Sequence, residues 1–129
     1  YGCLDMSNNV LKYTNAGHLF PVVLKGGSKL EVLDYSGLIL GVKPDFEYQE
    51  KAIEMAPGDM LVVVTDGVTE ADDSKGDYFG ERRLYDILLG SRDLGAEEVV
   101  ERIFSSVTDF ASGNGLSDDI TILVLKRLK

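Results

Sequence analysis

Cysteine occurs once in the chain, at Cys3, so an internal disulfide is impossible and a cross-linked scaffold is excluded. Histidine is equally scarce: His18, in "NAGH", stands alone, which leaves no basis for a zinc site built on several imidazoles, and in a turn-like stretch it reads first as structural. No apolar run approaches the roughly 20 residues that span a bilayer, and no charged-then-apolar leader opens the chain. These absences describe a soluble, cytoplasmic protein. Base is also short. Thirteen Lys and Arg face 22 Asp and Glu, a net charge of −9, so nucleic acid and anionic membranes are poor partners. A phosphorylated ligand stays compatible with this charge, because bound divalent cations can reverse the local sign.

Several catalytic signatures are missing too. Neither Gly26-Gly27 nor Gly113 to Gly115 is followed by the Lys-Ser/Thr of a phosphate loop. In "DDSKGDYFGERR" (72 to 83) the twelfth position is Arg83, where a calcium loop needs a bidentate Glu. A cysteine-dependent phosphatase needs Arg six residues after its nucleophile, and six after Cys3 is Asn9, so Cys3 reads as a small buried core residue.

What the chain does have is a hydrophobic fraction of 44%, enough for a core of its own. Strand-like runs fill the first half: 10–14, 20–26, 30–34, 48–55 and 59–65, with "YGCLDM" reading as the end of another. Short turns at Ser7-Asn8-Asn9, Asn15-Ala16-Gly17, Gly26-Gly27-Ser28 and Pro57-Gly58-Asp59 separate them, which favours antiparallel pairing over parallel crossovers. The period then changes. Leu84, Ile87 and Leu88 recur at helical spacing, with Gly90 placed to end that helix in a left-handed conformation. Tyr78 and Phe79 are expected to anchor it. Val99, Val100, Ile103, Phe104, Val107 and Phe110 mark a second helix, with Glu97 and Glu98 in its first turn where the helix dipole favours anions. Glu81, Arg82, Glu101 and Arg102 read as solvated helix faces. Gly113-Asn114-Gly115 breaks the chain, and a strand over 120–128 closes it. Strands, two helices and a strand predict an α+β fold with helices covering an antiparallel sheet.

The run "LVVVTDG" delivers Asp66 to a tight turn, whereas "SDDIT" places Asp118 and Asp119 just before the last strand. If the two strands pair antiparallel, these carboxylates share one rim. Like charges at close range, and more so if buried, need a cation or a proton, and Mg²⁺ or Mn²⁺ is suited to oxygen donors. An ordinary Asp-Gly turn and a loop carboxylate account for the same residues, so the pattern alone leaves both readings open.

"TDGVTEA" (65 to 71) together with "SDDIT" (117 to 121) resembles bacterial PPM-type serine/threonine phosphatases of the stage II sporulation protein E class. "YGCLD" (1 to 5), "YTNAGH" (13 to 18), "GLILGV" (37 to 42), "APGDMLVVVTDG" (56 to 67) and "YFGERRL" (78 to 84) extend the likeness in register over nearly the whole chain. The resemblance implies an antiparallel β-sandwich with flanking helices, α-β-β-α in layers. It also implies a centre of two Mn²⁺ or Mg²⁺ ions that activates water against phosphoserine or phosphothreonine, with no protein nucleophile. By position, Asp66 and Asp118 match the family's metal-binding aspartates, and Asp119 the neighbouring position. Gly67 allows the turn that aims Asp66.

Family members carry an earlier Asp-x-x-Gly-His-Gly-like motif with further ligands, absent between Tyr1 and Lys129, and His18 is not its histidine. With Tyr1 rather than Met at its start, the sequence is therefore expected to be the C-terminal part, 1–129, of one phosphatase domain incomplete at its N-terminus. Alone, it should bind metal weakly and turn over little. Its expected substrate is a phosphorylated regulatory protein of sigma-factor partner switching. A shortened sandwich should expose an apolar face or an open edge, which predicts self-association or a rearranged packing that covers the gap. The alternative is a phosphatase-like interaction or sensory module without catalysis.

Overall fold

A computed structural model describes residues 1–34, 37–112 and 115–128. Strands β1 (Gly2–Asp5), β2 (Val10–Tyr13), β3 (Val22–Lys25), β4 (Lys29–Val32), β5 (Lys51–Glu54) and β6 (Met60–Val64) come first. Helices α1 (Asp66–Thr69), α2 (Gly80–Leu89) and α3 (Ala96–Phe110) follow, and β7 (Ile122–Lys126) ends the order. All pairings are antiparallel, in a three-stranded sheet β1-β2-β5 and a four-stranded sheet β4-β3-β6-β7. This is the expected α+β sandwich.

The side-chain alternation of the central strands explains the layering. On β6, Met60, Val62 and Val64 join one core, and Leu61 joins the other with Val63 packed against it. β3 repeats this, with Val22 and Leu24 on one side and Val23 on the other. A strand covered on both faces needs apolar residues at nearly every position, which is why "MLVVV" has no polar alternation. The first core lies under the helices and includes Leu84, Leu88, Val99, Ile103 and Val107; the second, with Leu11, Ile53 and Met55, fills the space between the sheets. Both long helices pack on the four-stranded sheet. Phe79 joins them by an edge-to-face contact with Phe110 at 5.6 Å, and Arg83 lies 4.5 Å over the Phe110 ring.

Several expectations are corrected. Cys3 is exposed on an edge strand rather than buried, because among the described residues β1 pairs with β2 alone and its alternate side chains face out. Phe79 anchors α2 as expected, but Tyr78 is largely exposed. Phe104 is also exposed, since the apolar stripe of α3 is wider than the sheet surface it covers. Gly90 does follow α2, yet with φ −79° rather than a left-handed value: its N–H bonds back to the Asp86 carbonyl, and Arg102 holds its own carbonyl. Asp66-Gly67 opens a single helical turn rather than a simple tight turn. Gly113 and Asn114 of the expected chain break lie outside the described residues.

One polar group is buried deep in this framework. Asp59, 1% exposed, accepts the Lys25 ammonium at 2.5 Å and the N–H groups of Gly26 and Ala56 at 2.9 and 2.8 Å. It ties the β3–β4 turn to the Pro57-Gly58 turn before β6.

At the outer margin, Leu123 and Leu125 of β7 point away from the helices and are 51% and 36% exposed. With Leu4, Leu11, Leu61 and Val63 they line an apolar cavity of about 430 Å³ between the sheets. Among the described residues β7 is thus the last strand of its sheet and turns part-exposed leucines outward. Among the described residues, no helix is long and apolar enough to cross a membrane.

Candidate functional site

The end of β6 and the start of β7 meet at one rim of the four-stranded sheet. Val64 pairs with Ile122, and the ladder continues through the Thr65 N–H to the Thr121 carbonyl at 3.1 Å. Thr65 is the N-cap of α1, but its hydroxyl does not cap the helix. It donates to the Asp119 carbonyl at 3.1 Å and accepts from the Thr121 N–H at 3.0 Å, so the residue before Asp66 is laced to the residues around Asp119.

Gly67 sets how closely the two segments approach. A Cβ at this position would sit 2.4 Å from the Asp119 carbonyl oxygen and 3.5 Å from the Asp118 carbonyl carbon. Only a residue without a side chain fits. Since consecutive Cα atoms are about 3.8 Å apart, this contact holds the Asp66 Cα within about 8 Å of the Asp119 carbonyl. Asp66 Oδ1 accepts the Gly67 N–H at 3.1 Å and Asp118 Oδ1 the Asp119 N–H at 2.7 Å.

All three carboxylates are exposed, which corrects the assumption that burial would aggravate their repulsion: water screens them. Among the described residues, no Lys, Arg or His forms an ion pair with any of them. Asp66 also faces a cavity of about 380 Å³ whose lining includes His18, Thr65, Glu70 and Glu81. Glu70 lies four residues after Asp66, the spacing that stacks side chains on one helical face. Sequence reasoning missed Glu70 and treated Glu81 as a plain solvated position. The 66/70 spacing was a visible signal; the approach of Glu81, from another element, was not. His18 sits in a turn closed by Asn15, whose side chain accepts the His18 N–H and donates to its carbonyl, both at 2.8 Å. The His18 Nδ1 lies 2.8 Å from the Leu19 carbonyl.

The donor set is all oxygen, suited in chemistry to a hard divalent cation. It falls short in number: among the described residues, no three His, Cys, Asp or Glu side chains gather closely enough to hold a metal.

The sequence model described as stage II sporulation protein E matches residues 1–128. The chain belongs to that family. Over 129 residues it is 32% identical to the phosphoserine phosphatase RsbU of Bacillus subtilis, covering 98% of this chain and 38% of RsbU. Its fold matches the SiaA-PP2C domain of Pseudomonas aeruginosa with a TM-score of 0.80 at 23% identity, over 95% of this chain and 48% of that one. The phosphatase domain of SpoIIE from Bacillus subtilis, in crystals presoaked with Mn, matches with a TM-score of 0.76 at 16% identity, over 99% of this chain and 55% of that one. The chain thus spans less than two fifths of this curated relative and about half of each solved domain.

Proposed function

We propose that this chain is the C-terminal part of a metal-dependent, cytoplasmic protein serine/threonine phosphatase domain. Its substrate is phosphoserine or phosphothreonine on a regulatory protein of a partner-switching pathway. The observation that carries the reading is the packing of Asp66-Gly67 against Asp118-Asp119 across Gly67, which sets acidic residues 52 or more positions apart on one rim. The names of RsbU and of the SpoIIE domain, and the Mn presoak of the latter, support the chemistry.

In this reading Asp66 and Asp118 supply carboxylate oxygens to Mn²⁺ or Mg²⁺, with Asp119 beside them. Two such ions, once bound, activate water and stabilise charge on the transferred phosphoryl. Thr65 holds the two aspartate segments at fixed spacing. Glu70 and Glu81 add negative charge that attracts the cations and keeps an anionic substrate away until they are bound.

Asp66→Asn is expected to weaken Mn²⁺ binding at least about tenfold in calorimetry while leaving the melting temperature nearly unchanged, because the side chain is exposed. In the longer protein the same change should abolish Mn²⁺-dependent hydrolysis of p-nitrophenyl phosphate. Hydrolysis in metal-free buffer would refute the mechanism.

A second reading, an interaction or sensory module without catalysis, is favoured by the lack of a three-ligand cluster among the described residues. Metal-independent binding of the phosphoprotein by the longer protein, with no turnover, would establish it. The open β7 edge further leads us to propose self-association of this chain, which sedimentation should show as a concentration-dependent dimer. A monodisperse monomer overturns that part.

A further inference from the structure

The far end of the same sheet carries the opposite charge. The β3–β4 turn, the Pro57-Gly58 turn before β6, the end of β7 and the α2–α3 connection surround a pocket of about 400 Å³. Among the described residues its lining includes Arg92, Lys126 and Arg127 and a single carboxylate, Asp93. On a chain of net charge −9, three cations to one acid is a local inversion of sign. A concave site of one sign concentrates counter-ions.

Structural duty explains part of this set. Lys126 donates to the carbonyls of Arg92 and Leu94 at 2.8 and 2.6 Å, and Arg127 donates to the Met55 carbonyl. Arg92 is different. Its contact is with Asp93, through Nε at 3.5 Å between two exposed side chains, the kind of pair that adds little. A Cβ on Gly27 would lie 2.8 Å from the Arg92 Cβ, so the arginine stem rests on bare backbone beside the pocket. Gly26 and Gly27 both have positive φ, 54° and 71°, a turn that exposes peptide N–H groups. The Gly26 N–H is taken by Asp59; the Gly27 N–H has no acceptor among the described residues.

We propose that this pocket binds a phosphoryl dianion, held by the Arg92 guanidinium and the Gly27 amide within the field of Lys126 and Arg127. Guanidinium forks and free backbone amides are the groups that recognise phosphate oxygens. The pocket is larger than bare phosphate and open to solvent on one side, so a phosphate monoester suits it best. The site lies a strand length from Asp66 and is independent of the phosphatase reading.

The test is an amide NMR titration of the metal-free chain with inorganic phosphate and, separately, with O-phosphoserine, at constant ionic strength. Saturable shifts confined to Gly26, Gly27, Gly58, Arg92 and Arg127 are expected, with the Asp66 rim unmoved. Arg92→Gln should weaken binding about tenfold, the loss of charge-assisted hydrogen bonds, and Asp93→Asn should tighten it. Saturation by both probes, tighter for O-phosphoserine, assigns an esterified phosphate; saturation by phosphate alone assigns the free anion. Non-saturating or scattered shifts with both probes, or an Arg92→Gln titration that matches the unaltered chain, overturns the proposal.

Discussion

Gly67→Ala is expected to lower both stability and Mn²⁺ affinity. The new Cβ would meet the Asp119 carbonyl oxygen at 2.4 Å, and because that atom is backbone, no rotamer change can relieve the clash. Overpacking of this kind costs about 1–3 kcal/mol. The relief available is to move the β6 end away from the residues before β7, which also separates Asp66 from Asp118 and Asp119. Urea unfolding and Mn²⁺ calorimetry on the same sample check this. Gly67→Ala should fail in both measurements, whereas Asp66→Asn should fail in calorimetry alone. Unchanged stability in Gly67→Ala would mean that the rim is not packed as described.

Asp59→Ala should have the largest effect on stability, about 3–5 kcal/mol, because removing one member of a buried pair strands the other. Lys25 would lose its carboxylate and keep the Glu54 carbonyl, and the N–H groups of Gly26 and Ala56 would lose their acceptor. The pH dependence has a definite sign. Burial alone would raise the Asp59 carboxyl, but the Lys25 ammonium and the two N–H donors outweigh it and hold it below its ordinary value of 3.8. A depressed carboxyl gives stability that is present above about pH 4 and lost as pH falls through the folded value. Asp5, held low by the Asn8 side chain and N–H, and Asp73, held low by the Asp77 and Lys75 N–H groups, titrate there too. The measurement is therefore a difference. Between about pH 5 and pH 2.5, Asp59→Asn should lose less stability than the unaltered chain.

Asp59 also shows where the sequence stops being readable. Pro57-Gly58-Asp59 is a visible turn, but Lys25, which makes Asp59 a buried anchor, is 34 positions earlier. Nothing local marks that pair. Strands and the two long helices were legible because side-chain alternation and the 3.6-residue repeat are local signals, and the outward turn of Cys3 was not, because it depends on which strand lies at an edge. The helical turn at Asp66–Thr69 escaped for a different reason. Gly67 and β-branched Val68 and Thr69 are weak helix formers, so position imposes the turn rather than propensity. For the candidate site, the β6 end and the β7 start were readable as strand termini. The acidic wall formed with Glu81 was not, since it depends on how α2 is set on the sheet.

Thr65 and Thr121 are linked across 56 positions of chain, and among the described residues β7 has one strand neighbour, β6. The C-terminal strand therefore works as a latch. Peeling it from β6 would disperse the aspartates while leaving β3, β4 and β6 joined, so any divalent ion spanning the two segments would also fasten β7 in place.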